Sequence, residues 1–151
     1  MKIAWSKLLV LLAFLALIAL PKAFAQESVT VQTLHQFVAA FNAHDLDAVM
    51  SFFADDCELF MPRGPQPWGR KYVGKAEVRK GLATRFEGMP DVHYGNEENW
   101  VLGNHAVSRW MLTGTTRNGK KIAVRGCDLL EFKNGKIIRK DSYWKLVEPR
   151  N

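Results

Sequence analysis

The sequence contains few residues at the spacings that metal or nucleophilic chemistry requires. No HxH, HxxxH or HExxH spacing occurs among its four histidines, which are His35, His44, His93 and His105. Its two cysteines form no CxxC, so we expect no metal site. Motifs of the GxSxG, Walker and GxGxxG types are also missing, and we therefore expect no organic cofactor.

Cysteine is too scarce for a disulfide framework, because the chain has only Cys57 and Cys127. Strand alternation places Cys57 towards the interior and Cys127 on the opposite face of the sheet from Asp128. Side chains that diverge from opposite faces cannot bring their Cβ atoms to bonding distance. We therefore predict two free thiols.

The amino terminus has the pattern of a secretory signal peptide. Lys2 and Lys7 precede an unbroken apolar run at residues 8–20, and an Ala-x-Ala site follows at residues 23–25. This run is shorter than the roughly 20 residues of a membrane-spanning helix. We predict a signal peptide at residues 1–25, one domain at residues 26–151, and an exported protein, periplasmic or secreted, with no stable membrane anchor after cleavage.

Positive charge is concentrated in the predicted signal peptide. Residues 1–25 contain three lysines and no acid, so their removal lowers the formal net charge from +6 to +3. A charge this small does not favour binding to nucleic acid. Six basic residues lie in or before the third predicted helix, and we interpret them as a solvated face in preference to an anion-binding patch: Arg70, Lys71, Lys75, Arg79, Lys80 and Arg85.

Apolar periodicity predicts three helices followed by a sheet. Apolar residues at helical spacing predict a first helix over residues 28–43, a second capped by Asp45, and a third ending near Gly88. A strand is predicted at residues 56–62, then a loop at residues 63–69 with Trp68 at its tip. Turn signals at residues 103–104, 118–119 and 134–135 divide residues 91–148 into four antiparallel strands. The class is therefore α+β.

Asp128 is a lone carboxylate on the apolar face of a predicted strand. The residues that share this face are Ile122, Val124, Gly126, Asp128, Leu130 and Phe132. Arg109 and Arg125 fall on the opposite face by the same alternation. Burial without a cation favours the neutral carboxylic acid, which would donate a hydrogen bond. A satisfied structural aspartate is the alternative.

Several segments together carry a family resemblance. They are residues 37–50, 53–56, 74–79, 107–110, 113–115 and 132–137. In order and spacing they resemble the nuclear transport factor 2-like superfamily, particularly its SnoaL-like and ketosteroid isomerase-like branches. The resemblance implies a cone-shaped α+β barrel, with three helices packed on a curved, mostly antiparallel sheet and a pocket at one end. It also implies a homodimer through the outer face of the sheet.

By this resemblance, the chain retains only part of the ketosteroid isomerase site. The tyrosine donor falls on Phe37 and the general-base aspartate on Met61, so both groups are lost, whereas the aspartic acid of the oxyanion hole falls on Asp128. The carboxylate on the last strand of the SnoaL-like cyclases has its nearest counterpart in Asp141, about one residue out of register. If the chain is an enzyme, a base would have to come from another group, such as His93, Tyr143 or water.

Three hypotheses follow from these residues. In the first, the exported protein binds a small, largely apolar molecule in a cone pocket, with Trp68 as a lid. In the second, it is an isomerase, cyclase or dehydratase that uses Asp128 as an acid or hydrogen-bond donor, without metal or organic cofactor. In the third, it is a protein-interaction module with a vestigial pocket. The predicted pocket residues are Phe37, Phe41, Met61, Trp68, Trp110, Asp128, Leu130 and Tyr143.

Overall fold

The structure, a computed structural model, describes residues 28–148, so the predicted signal peptide lies outside the described residues. The helices are α1 (Val31–Asn42), α2 (Leu46–Ser51) and α3 (Lys75–Gly88). The strands are β1 (Phe53–Phe60), β2 (Lys71–Val73), β3 (His93–Leu102), β4 (His105–Thr115), β5 (Lys121–Lys133) and β6 (Lys136–Trp144). Within residues 28–148, none of the helices is both long and apolar enough to cross a membrane.

The first two helices begin at residues that cap their free amide groups. The Thr30 hydroxyl accepts a hydrogen bond from the Thr33 amide at 3.2 Å, and the Thr33 side chain accepts one from the Thr30 amide. The carboxylate of Asp45 accepts from the amide of Ala48 at 2.9 Å, as predicted for the start of the second helix. Local sequence therefore determines where both helices start.

The six strands form one sheet in the order β2-β1-β6-β5-β4-β3. Strands β3 to β6 are the predicted antiparallel meander. Two features were not predicted: β1 pairs with β6 in parallel, and the short strand β2 pairs with β1. β1 and β6 lie at opposite ends of the strand order in the chain, so no turn signal marks their pairing, and β2 is only three residues long and follows a ten-residue loop. The α+β class and the mostly antiparallel sheet are confirmed.

The inner face of the sheet packs against α1 and α3, and we call the space between them the cone. Phe37 on α1 is almost fully buried and makes an edge contact with Phe41, with ring centroids 5.1 Å apart. Leu130 on β5 belongs to the same core cluster. Cys57 is buried in the cluster, Cys127 is half-buried, and both are free thiols, as predicted.

Candidate ligand-binding site

The inner face of β5 carries the side chains that alternation predicted. Gly126, Asp128, Leu130 and Phe132 are buried, and Val124 is half-buried at the open end. On the outer face, Arg109 and Arg125 both approach Glu98 of β3 instead of Asp128. Asp128 thus faces the cone without help from either arginine.

Asp128 is an acceptor on both of its carboxylate oxygens. Its Oδ1 accepts hydrogen bonds from Lys140 Nζ at 2.5 Å and Ser142 Oγ at 2.7 Å. Its Oδ2 accepts one from Trp110 Nε1 at 3.1 Å. A carboxyl that accepts from three donors, one of them an ammonium, is in its ionised form. The geometry therefore does not fit the neutral donor that we expected.

The correction comes from Lys140, a cation on β6 that sequence reasoning did not place in the cone. Its side chain is 7% exposed and that of Asp128 is also 7% exposed, so the ion pair is almost completely removed from water. The ammonium also donates to Ser142 Oγ at 2.7 Å. Two of its three protons are thus used, which leaves one for the cone.

The orientation of β6 corrects a second prediction, because Tyr143 does not line the cone. Lys140 and Ser142 face inward, whereas Tyr143 lies on the outer face and is 52% exposed. Both faces of this strand carry an aromatic residue, so hydrophobicity did not indicate its orientation. The useful signal was the buried carboxylate itself, since an inward Asp128 requires a partner from a neighbouring strand.

The cone contains two neighbouring spaces that share lining residues. The inner cavity, about 20 Å³, is lined by Phe41, Met61 and Trp110, which were predicted, and by Tyr94, Lys140 and Ser142, which were not. A volume of this size holds about one water molecule. The mouth pocket, about 270 Å³, opens to solvent and has an apolar wall formed by Met61, Met89, Ile122, Val124 and Trp144. Arg85 and Met61 line both spaces.

Tyr94 is the aromatic polar group that sequence reasoning missed. Its ring lies 5.2 Å from that of Trp110 and 5.4 Å from that of Phe41, centroid to centroid. Burial raises the pKa of Tyr94 to about 12, so its phenol stays protonated at neutral pH. The hydroxyl is therefore available as a donor inside the cone.

The remaining predicted residues lie away from these spaces. Phe37 and Leu130 pack in the hydrophobic core. Trp68 is 56% exposed and is not among the residues that line either space, so the predicted lid is not formed. The loop closes on itself through backbone hydrogen bonds, such as that from the Met61 amide to the Arg70 carbonyl at 2.9 Å, which leaves Trp68 in solvent. His93 is also exposed.

Comparison with protein families matches residues 34–140 to the model of the SnoaL-like domain. Among solved structures, a protein of ketosteroid isomerase-like fold from Catenulispora acidiphila, in complex with trimethylamine, is similar with a TM-score of 0.68. The two chains are 18% identical, and the match covers 78% of this chain and 88% of the other.

Two further structures show the same fold. An NTF2-like protein of unknown function from Mesorhizobium loti is 25% identical, with a TM-score of 0.62 over 76% of this chain and 88% of the other. TerC, co-crystallised with polyporic acid, is 18% identical, with a TM-score of 0.66 over 76% of this chain and 90% of the other. The segments that carry the predicted resemblance, within residues 37–137, all lie inside residues 34–140 of the family match.

Proposed function

Because the chain belongs to the SnoaL-like domain family, we propose that it is an exported protein that binds a small, largely apolar molecule in the mouth pocket. The observation that carries this proposal is a solvent-open space of about 270 Å³ with an apolar wall. Ligand sites are concave, mostly apolar and furnished with a few polar groups. Structures of the same fold have been obtained with polyporic acid and with trimethylamine.

Binding is preferred to the isomerase, cyclase or dehydratase alternative for a specific reason. The carboxylate of Asp128 is engaged by three donors and is paired with Lys140. The two other groups considered as bases, His93 and Tyr143, are exposed outside the cone. None of these three groups lies free at the mouth pocket to remove a proton from a ligand.

The polar groups of the inner cavity support a role in orienting the ligand. Lys140 retains one free N–H, and Tyr94 retains its phenolic proton. An apolar body in the mouth pocket could therefore direct one oxygen inward, either directly or through the single water that the inner cavity can hold. Burial of the apolar part supplies the main driving force, at about 25 cal/mol per Å².

The experiment measures binding of a neutral aromatic probe, 2-naphthamide, by isothermal titration calorimetry. Val124→Trp fills the mouth pocket and should weaken binding about tenfold or more. Val147→Trp is the matched control, because Val147 is exposed beyond the end of β6 and its substitution should leave affinity unchanged. Thermal unfolding verifies that both variants fold. Equal affinities for the wild type and Val124→Trp would contradict the proposed site.

Export is tested separately, through the mass of the protein recovered from its native host. Cleavage after Ala25 predicts a mature chain that begins at Gln26. A recovered protein that retains residues 1–25 would contradict this part of the proposal.

A further inference from the structure

Two arginines lie against one aromatic ring at the rim of the mouth pocket. The guanidinium carbon of Arg63 lies 4.8 Å from the centroid of the Trp144 ring, and that of Arg85 lies 5.0 Å from it. Both arginines line the mouth pocket. Arg63 comes from the loop after β1, Arg85 from α3 and Trp144 from the end of β6, so three separate segments converge there.

Neither guanidinium has a carboxylate partner within residues 28–148. Arg79, on the same helix as Arg85, pairs with Asp47, and Arg109 pairs with Glu98. No acidic residue is present in the lining of the mouth pocket. The Lys140 charge deeper in the cone is balanced by Asp128. Two uncompensated positive charges therefore lie at the entrance of an apolar pocket and attract an anion.

We propose that the ligand of the mouth pocket is a small organic acid, bound as its carboxylate by Arg63 and Arg85 with its apolar body against Met89, Ile122 and Val124. This inference rests on the proposed function and specifies its ligand class. The planar guanidinium group matches a carboxylate through paired N–H donors. The cation–π contact with Trp144 restrains both groups before the ligand arrives and thereby reduces the entropy lost on binding.

Arg85 contributes more than Arg63 to the proposed binding of the carboxylate. It is half-buried, it lines both the mouth pocket and the inner cavity, and it lies beside the Tyr94 phenol. Arg63 is exposed at the rim, where solvent screens its charge. Removal of the Arg85 charge should therefore weaken carboxylate binding more than removal of the Arg63 charge.

The test compares two probes of nearly the same size and shape, the anion 2-naphthoate and the neutral 2-naphthamide, by isothermal titration calorimetry at neutral pH. The wild type should bind the carboxylate about tenfold to a hundredfold more tightly than the amide. Arg85→Gln should remove most of this preference, and Arg63→Gln should remove a smaller part. Because both arginines line the pocket, each variant is judged by the ratio of its two affinities, and the amide should lose less affinity than the carboxylate.

Arg79→Gln is the matched control, because it removes one positive charge from the same helix at a site outside the pocket. It should leave the preference for the carboxylate unchanged. Equal binding of the two probes by the wild type, or an undiminished preference in Arg85→Gln, would overturn the ligand class while the proposed function stands. Binding of neither probe would overturn the proposed function itself.

Discussion

Asp128 and Lys140 form an ion pair in which each charge compensates the other inside the cone. Loss of one member leaves a buried charge without a partner, whereas loss of both leaves none. We expect Asp128→Leu to lower the free energy of unfolding by about 3–5 kcal/mol. The double variant Asp128→Leu/Lys140→Met should recover most of this loss. Equilibrium unfolding in urea measures all three proteins.

Urea unfolding of Asp128→Asn separates the effect of the lost charge from the effect of a changed side-chain shape. Asparagine is close to aspartate in size but leaves the Lys140 ammonium unpaired, so it should also destabilise the fold. The neutral-donor interpretation predicts instead that Asp128→Asn largely preserves folding and that Asp128→Leu is as stable as the wild type or more stable. That result would return Asp128 to the role expected from the sequence.

Because of the Tyr94 phenol, the free energy of unfolding depends on pH in the alkaline range. In the unfolded chain it titrates near its ordinary pKa of 10.0, and in the folded protein its pKa is about 12. The unfolded state therefore loses its proton first as pH rises, so this contribution is complete below pH 10 and is lost between the two pKa values. The stability difference between the wild type and Tyr94→Phe should shift by about 2 kcal/mol over that interval.

Urea unfolding at a series of pH values measures this difference, and the comparison of variants cancels the titration of the other tyrosines and lysines. A difference that stays constant from pH 9 to pH 12 would show that the Tyr94 phenol titrates normally.

At the scale of strands, the β4–β5 pair depends on a residue with no side chain. Gly126 lies opposite Trp110 in the ladder, and a Cβ atom there would overlap the Trp110 ring and the Tyr143 carbonyl oxygen. The Trp110 indole, which donates to Asp128, can occupy its position only because Gly126 leaves that space.

Gly126→Ala should therefore destabilise the protein by about 1–3 kcal/mol through overpacking, measured by thermal or urea unfolding. Gly88→Ala is the control, because a Cβ at Gly88 meets nothing within 4 Å at the end of α3. Alanine is the better helix former, so this variant should be neutral or slightly more stable. Equal stability of Gly126→Ala and the wild type would mean that Trp110 moves aside freely.

At the scale of the whole molecule, the outer face of the sheet fits the predicted homodimer. Leu129 is 43% exposed and Trp100 is 50% exposed on this face, with half-buried Val107 and Met111 beside them. Charged residues interrupt the apolar ones, as at the rim of an interface. We propose that two chains associate through this face.

Light scattering on the purified protein should give the mass of a dimer. Leu129→Glu should shift the mass towards the monomer, because it places a charge inside the apolar part of the face. Leu102→Glu, at the tip of the β3–β4 hairpin and outside that part, should not. A monomer mass for the wild type at tens of micromolar would contradict the proposal.

Several parts of the fold could be predicted from the sequence, because they depend on interactions between residues that are close together in the chain. The cap at Asp45, the hairpin turns and the inward position of Asp128 all follow from local hydrogen bonds or from alternation along one strand. The candidate pocket was partly predictable for the same reason, since Phe41 lies on α1 and Trp110 on β4, where the spacing of buried residues is regular.

Tertiary structure alone decided which groups meet. The register of β5 against β6 shifts between Glu131 and Phe132, and Ile137 and Lys140, three residues apart on β6, are both buried, so a period of two does not hold there. The meeting of Arg63 and Arg85 on Trp144 joins a loop, a helix and a strand end. Such contacts depend on strand pairing and packing over the whole chain, whereas residue patterns report only the local preferences of each segment.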